Sequence, residues 1–151
     1  MKRSWAAALC VMAVALAAPA AGCGDDDSEQ FRQDYNAAVE RLSTINDDIG
    51  SATGGAGGRS NDAIAREFDK IADTAEQTRS DLADLDPPED AKDEYDALLS
   101  ALGKGVDDLR SVADAAKSNN PVEANKAARR LGRTGQQISR AEDALKQAVD
   151  G

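Results

Sequence analysis

The side chains with the greatest potential for chemistry are the carboxylates and two cysteines. The chain has 28 acidic residues, Cys10 and Cys23, and no histidine. Imidazole general bases, histidine-dependent triads and histidine metal sites are therefore excluded. Closely spaced carboxylates are the remaining acid–base candidates: Glu67 with Asp69, Asp107 with Asp108, and Glu142 with Asp143.

Carboxylate pairs act as acid and base when an apolar pocket raises the pKa of one member. The three pairs lie off the apolar stripes of the expected helices, so we expect them to be solvated, with Glu142 at the border of the core. The glycine-rich segment 54–58 lacks the Lys-Ser/Thr of a phosphate-binding loop. The sequence thus predicts a protein that is not an enzyme and needs no cofactor and no metal.

The N-terminus has the pattern of an export signal. Lys2 and Arg3 precede an apolar run over residues 6–18, and Pro19 ends it. A basic start, a short apolar stretch and a small-residue exit are typical of secretory signals. The run is shorter than the roughly 20 residues that cross a bilayer, so we expect a cleaved signal and no permanent membrane span.

The exit from this run, Ala20-Ala21-Gly22-Cys23, resembles the lipobox of bacterial lipoproteins, with Ala20 where leucine is usual. The resemblance covers residues 1–23 and implies a signal peptide over 1–22. It also implies that acylated Cys23 holds the protein on the extracytoplasmic face of the cell membrane. Lipidation also accounts for a single unpaired thiol in an exported chain. The alternative is cleavage after Ala20, which would release a soluble protein with a free thiol.

Composition predicts one acidic, helical domain after the signal. Removing residues 1–22 takes away two basic residues and no acidic one, so the net charge falls from −10 to −12. This acidity argues against nucleic acid as a partner. Alanine and leucine favour helices, whereas β-branched and aromatic residues are too sparse for a sheet. The remainder resembles small envelope lipoproteins of actinobacteria in composition, a likeness that implies no activity.

Apolar residues recur with alternating steps of four and three, which is a heptad pattern. It predicts an acidic tether over 23–30 and a bundle over 31–150, with helices at about 29–49, 61–85, 87–118 and 121–149. Short connections predict an all-α, antiparallel up-down-up-down four-helix bundle. The alternative is a pair of helical hairpins that complete their cores by dimerising.

Helix boundaries follow from capping residues. Asp86 and Asn120 each precede a proline and, three positions on, a glutamate, a pattern that predicts helix starts. Ser60 or Asn61 is expected to cap the second helix. The glycine-rich stretch 50–59 is expected to be a loop.

Two features of the last helices suggest binding. Arg129, Arg130 and Arg133 form a basic strip, interpreted either as interhelical pairing or as a docking site for an acidic protein or envelope polymer. Glycines 103, 105, 132 and 135 are expected at one height of the bundle, where they mark either close helix approach or a pocket. The sequence therefore predicts a non-catalytic interaction or structural module. The alternative is a ligand-binding or sensory bundle that signals through a separate membrane partner.

Overall fold

The computed structural model describes the backbone of residues 25–150 and the side chains of residues 29–149. Four helices follow one another: α1 (Asp25–Gly54), α2 (Asn61–Ala83), α3 (Lys92–Lys117) and α4 (Pro121–Asp150). Within this range there is no strand. The chain forms the predicted antiparallel up-down-up-down four-helix bundle. The signal peptide over 1–22 and the lipidation site Cys23 lie outside the described residues.

The first helix is longer at both ends than the sequence predicted. It begins at Asp25, so 25–28 form its first turn instead of a tether, and acidic residues are favourable at a helix N-terminus. It continues through Gly50 to Gly54, so the prediction of a loop from residue 50 is wrong. Ala52 is fully buried in the core, and its packing outweighs the cost of about 1 kcal/mol for a glycine inside a helix.

The predicted start of the third helix is also wrong. Asp86 does not cap a helix at Pro87; a short 3₁₀ turn over Glu89–Ala91 intervenes, and α3 begins at Lys92 without a side-chain cap. Pro88 restricts Pro87, the residue before it, to extended conformations. Pro88 itself has extended backbone angles, φ −52° and ψ 144°. Two successive prolines therefore delay the helix.

The other two predicted caps are confirmed. The Ser60 hydroxyl accepts a hydrogen bond from the Ala63 N–H at 3.3 Å, and the Asn120 side chain accepts one from the Glu123 N–H at 3.1 Å. Asn119 is left-handed at φ 49°, and the Asn120 N–H donates to the Ala115 carbonyl at 2.9 Å. This is a Schellman turn, with asparagine in the position usually taken by glycine. It reverses the chain between α3 and α4.

Buried apolar residues form two clusters along the bundle. One, around Phe31, Tyr95 and Leu145, includes an edge-to-face contact between Phe31 and Tyr95 with ring centroids 5.4 Å apart. The other surrounds Phe68 and Leu109. All four helices contribute to these clusters within one molecule, so the dimer of hairpins is not the observed arrangement.

The helices are not packed equally closely. Helix α3 packs closely against both α2 and α4, whereas α1 packs mainly on α2. Arg41 of α1 forms an ion pair with Asp81 of α2. The helices α1 and α4 meet at one end, where the Arg32 side chain donates to the Val149 carbonyl. Away from that end they leave a gap.

Candidate binding cleft

A cleft of about 1030 Å³ lies between α1 and α4. It extends from Val39 and Glu142, near the end where the two helices meet, to the α3–α4 turn at Asn119. We call this space the α1–α4 cleft. Both flanking helices contribute apolar side chains, and α2 and α3 form its base.

Bulky aliphatic residues dominate the α1 wall and the base of the cleft. The α1 wall contains Val39, Leu42, Ile45 and Ile49, and the base contains Phe68, Leu102, Val106, Leu109 and Val112. The five residues at the base are buried. They belong to the core of the bundle, so an occupant of the cleft would contact the core directly.

The α4 wall is built largely of small residues. Ala124, Ala128, Gly132 and Gly135 line it together with Leu131 and Ile138. A Cβ atom added at Gly132 or Gly135 would meet nothing within 4 Å. These two glycines therefore widen the cleft, as the pocket interpretation predicted.

Gly105 behaves differently. Its added Cβ atom would lie 3.4 Å from Ile138 Cδ1 and 3.9 Å from Thr134 Cγ2, which are ordinary contact distances. Both neighbours are side-chain atoms, so no backbone contact between α3 and α4 requires glycine at position 105. Gly105 is buried, and it also lines the cleft, as Gly132 and Gly135 do.

The lining of the cleft contains a single charged side chain, Glu142, although 30% of the chain is charged. The other polar groups are neutral amides and hydroxyls. They come from α1 and α4 as Ser43, Asn46, Thr53, Asn125, Gln136 and Ser139, and from the turns and the start of α2 as Asn61, Asn119 and Asn120. The cleft is thus apolar inside, with neutral hydrogen-bonding groups along its edges.

Glu142 is half-buried at the end of the cleft near Tyr35. Burial raises the pKa of the Glu142 carboxyl, and the nearby charge of Asp143 raises it further. Burial, followed by the Glu142 charge, raises the pKa of Tyr35 to about 12. Because Tyr35 stays neutral and Asp143 carries the same charge as Glu142, neither neutralises the Glu142 carboxylate.

The candidate acid–base pairs serve other contacts. Glu67 forms an ion pair with Arg59, and the Asp69 carboxylate lies 2.8 Å from Lys117 Nζ. Asp108 is less solvated than predicted: its side chain is 13% exposed and accepts hydrogen bonds from Arg130 Nε at 3.1 Å and the Thr134 hydroxyl at 2.7 Å. Apart from Glu142, the carboxylates of the three pairs either form ion pairs and hydrogen bonds with other residues or are exposed.

The basic strip divides into paired and exposed members. Arg130 joins α4 to Asp108 of α3, as the interhelical interpretation predicts. Arg129 donates within its own helix to Asn125 Oδ1 at 2.8 Å. Arg133 is exposed and has no ion pair with the part of the chain that the structure describes. Docking through this strip stays a prediction.

Sequence reasoning missed the α1–α4 cleft as a whole. The available signal was the weak apolar stripe of α4, in which alanines and glycines occupy positions that bulky residues fill in the other helices. Between residues 121 and 149 of α4, only Ala127, Thr134 and Leu145 are buried. A helix whose apolar stripe consists of small side chains leaves space beside it unless the neighbouring helix packs closer.

No family model, curated protein or solved structure matches the chain. Between residues 25 and 150, no helix combines the length and hydropathy needed to cross a membrane. Among residues 29–149, whose side chains the structure describes, no cluster of three carboxylate or thiol side chains is placed to hold a metal ion. The α1–α4 cleft is thus the feature on which a function can be argued.

Proposed function

We propose that this chain is an exported, lipid-anchored protein that binds an apolar ligand in the α1–α4 cleft without catalysing a reaction. The single observation that carries the proposal is the cleft itself. Its apolar base and walls offer an occupant contact with core residues, and the lipobox-like sequence at Cys23 offers attachment to a membrane.

The dimensions of the cleft fit ligand binding. Small-molecule sites typically measure about 300–1,000 Å³, are mostly apolar with a few polar groups, and occur between the helices of bundles. At about 1030 Å³ the cleft is at the upper end of this range. Its size suits an extended aliphatic molecule better than a compact metabolite.

The distribution of charge supports the same function. Ion pairs and exposed charges cover the outer faces of the helices, whereas the lining of the cleft has only Glu142. Leaving a half-exposed apolar surface in contact with water is unfavourable, at roughly 25 cal/mol per Å². An apolar ligand that covers this surface would recover that free energy.

Fluorescence of Nile red, an uncharged apolar dye, tests the binding site. The mature chain from residue 23, made without the signal and with Cys23→Ser, carries no acyl chain and can be handled without detergent, which would compete for the cleft. We expect saturable binding, and we expect Gly132→Leu and Gly135→Leu to weaken it at least tenfold. Both replacements put a side chain into open space in the cleft.

Gln137→Leu is the matched control, because Gln137 is an exposed residue of the same helix that does not line the cleft. It adds the same apolar side chain outside the site and should leave dye binding unchanged. Dye binding that is not saturable, or that falls equally in all three variants, contradicts the proposed site.

Mass spectrometry of protein isolated from membranes tests the anchor. We expect an N-terminal Cys23 that carries acyl chains. An unmodified Cys23, or an N-terminus at Ala21, contradicts attachment through lipid and leaves the binding proposal to be judged by the dye experiment.

A further inference from the structure

We propose that the ligand of the α1–α4 cleft is an aliphatic amine, with its apolar tail along the cleft and its positively charged head beside Glu142. This inference rests on the proposed function, since it names the chemical class of the ligand. It assigns Glu142 as the residue that determines specificity for the head group.

The charge of the cleft favours a cationic head group. Glu142 is the only ionisable side chain in the lining, and no lysine or arginine accompanies it. A phosphate, sulfate or carboxylate head would find no cation in the cleft and would lie beside a like charge. A cationic head would find the one charge that the cleft contains.

The Glu142 carboxylate has no partner among the residues that the structure describes. It makes no hydrogen bond or ion pair with the described residues, whereas the partly buried carboxylates of Asp108 and Glu67 each have an arginine. A carboxylate withdrawn from water is stabilised by a nearby cation. A bound ammonium group would supply the positive charge that Arg130 supplies to Asp108 and that Arg59 supplies to Glu67.

The spacing of residues along α4 places apolar side chains in line with Glu142. Ile138 is one helical turn before Glu142, so both side chains lie on the same face, and Leu131 and Ala128 continue the wall. From Glu142 to Ala128 this wall extends about 20 Å at 1.5 Å per residue. A head group at Glu142 therefore directs a long aliphatic tail along apolar residues toward the α3–α4 turn.

Competition with Nile red separates the head group from the tail. Three amphiphiles with the same alkyl chain, an alkylamine, an alkyl maltoside and an alkyl sulfate, are titrated below their critical micelle concentrations. We expect the amine to bind about tenfold tighter than the uncharged maltoside and the sulfate to bind most weakly. Glu142→Gln should remove the advantage of the amine and leave maltoside binding unchanged.

Asp143→Asn is the matched control. It removes the same charge from the neighbouring position, which is exposed and does not line the cleft. It should keep the preference for the amine, which shows that general attraction to an acidic protein is not its cause. Unchanged maltoside binding by Glu142→Gln confirms that this variant is folded.

The outcomes distinguish this inference from the proposed function. Equal binding of amine and maltoside, or an amine preference that survives Glu142→Gln, overturns the inference and keeps an apolar binding site. Failure of all three amphiphiles to displace the dye overturns both. Dimer formation that blocks dye binding overturns both in favour of a second copy as the occupant.

Discussion

Among the described carboxyl groups, Glu142 is one whose ionisation opposes folding. Burial holds the pKa of its carboxyl above the ordinary value of 4.5, so the folded chain favours the protonated form. The resulting stability is fully present below the unfolded-state pKa and is lost as the pH rises through the higher folded-state pKa. Above the folded-state pKa, the ionised carboxylate is therefore less favourable in the folded chain than in the unfolded chain.

We expect Glu142→Gln to unfold at a higher temperature than the unaltered chain at neutral pH. The difference should shrink on acidification and disappear below the ordinary carboxyl pKa of 4.5, where Glu142 is neutral in both states. Circular dichroism melts across this pH range provide the measurement. Burial is the larger cause and the Asp143 charge the smaller one, so Asp143→Asn should reproduce only a small part of the effect.

A constant difference at every pH, or a Gln variant that is less stable at neutral pH, contradicts this assignment. If the expected result is found, the chain keeps a destabilising carboxylate beside its cleft. Residues that lower stability in this way are common in binding sites, where stability and function compete.

At the level of helices, alanine substitutions at Gly135 and Gly105 compare a position that faces open space with one that contacts a neighbouring helix. Gly135→Ala should raise the free energy of unfolding by about 0.5–1 kcal/mol, because alanine favours the helix and the new methyl group meets nothing. Gly105→Ala should gain at least as much, because its new methyl group would also be buried in ordinary contact with Ile138 and Thr134. Urea denaturation measures both. A loss of stability in Gly135→Ala would mean that α1 lies closer to α4 than the cleft allows.

The arginines of α4 give a second comparison between neighbouring positions. Arg130→Gln should cost about 1 kcal/mol or less, because the pair with Asp108 is partly exposed and Asp108 keeps the Thr134 hydroxyl. Arg129→Gln and Arg133→Gln should change stability by less than about 0.5 kcal/mol. Urea denaturation measures these changes. Equal losses at all three positions would contradict the contacts described above.

The same variants test docking. If an acidic partner binds the strip, Arg129→Gln with Arg133→Gln should abolish its capture while leaving the fold intact. Retained capture by this stable double variant would remove the docking interpretation and leave Arg130 with a structural role alone.

Most helical seams were predictable from the sequence, because burial follows heptad spacing. In α3 the alternating steps of three and four pass through residues that are all buried: Tyr95, Leu98, Leu102, Gly105, Leu109, Val112 and Ala116. Helix boundaries were less predictable where the conformational preference of the local sequence and the packing of the core favour different end points. Ala52 extends α1 past Gly50 through core packing, and two prolines delay α3 despite the capping pattern at Asp86.

For the whole molecule, α1 should be the least protected helix. Its segment from Val39 to Thr53 lines the cleft and packs mainly on α2, whereas α3 lies between α2 and α4. Local opening is easiest where few buried contacts hold an element. We expect hydrogen exchange in this segment to be faster than in α3 and to slow when an alkylamine binds. Equal protection of α1 and α3 would contradict the open arrangement.

The cleft itself was beyond sequence reasoning for a physical reason. Heptad spacing identifies which face of each helix is apolar, and it leaves open how closely two non-consecutive helices approach. That distance depends on the small residues of α4 together with the packing of α1 on α2. The position of Glu142 at the core border was predictable, but its place as the single charge in a cleft required the tertiary structure.

The attachment of α1 has a consequence for transport. If Cys23 is embedded in a bilayer, the nearer end of the cleft at Val39 is about 21 Å along α1 from Asp25, at 1.5 Å per residue. If α1 also stands upright on the membrane, a ligand reaches the cleft through water. Molecules with measurable aqueous solubility, such as single-chain amines, can make this journey far more readily than two-chain lipids.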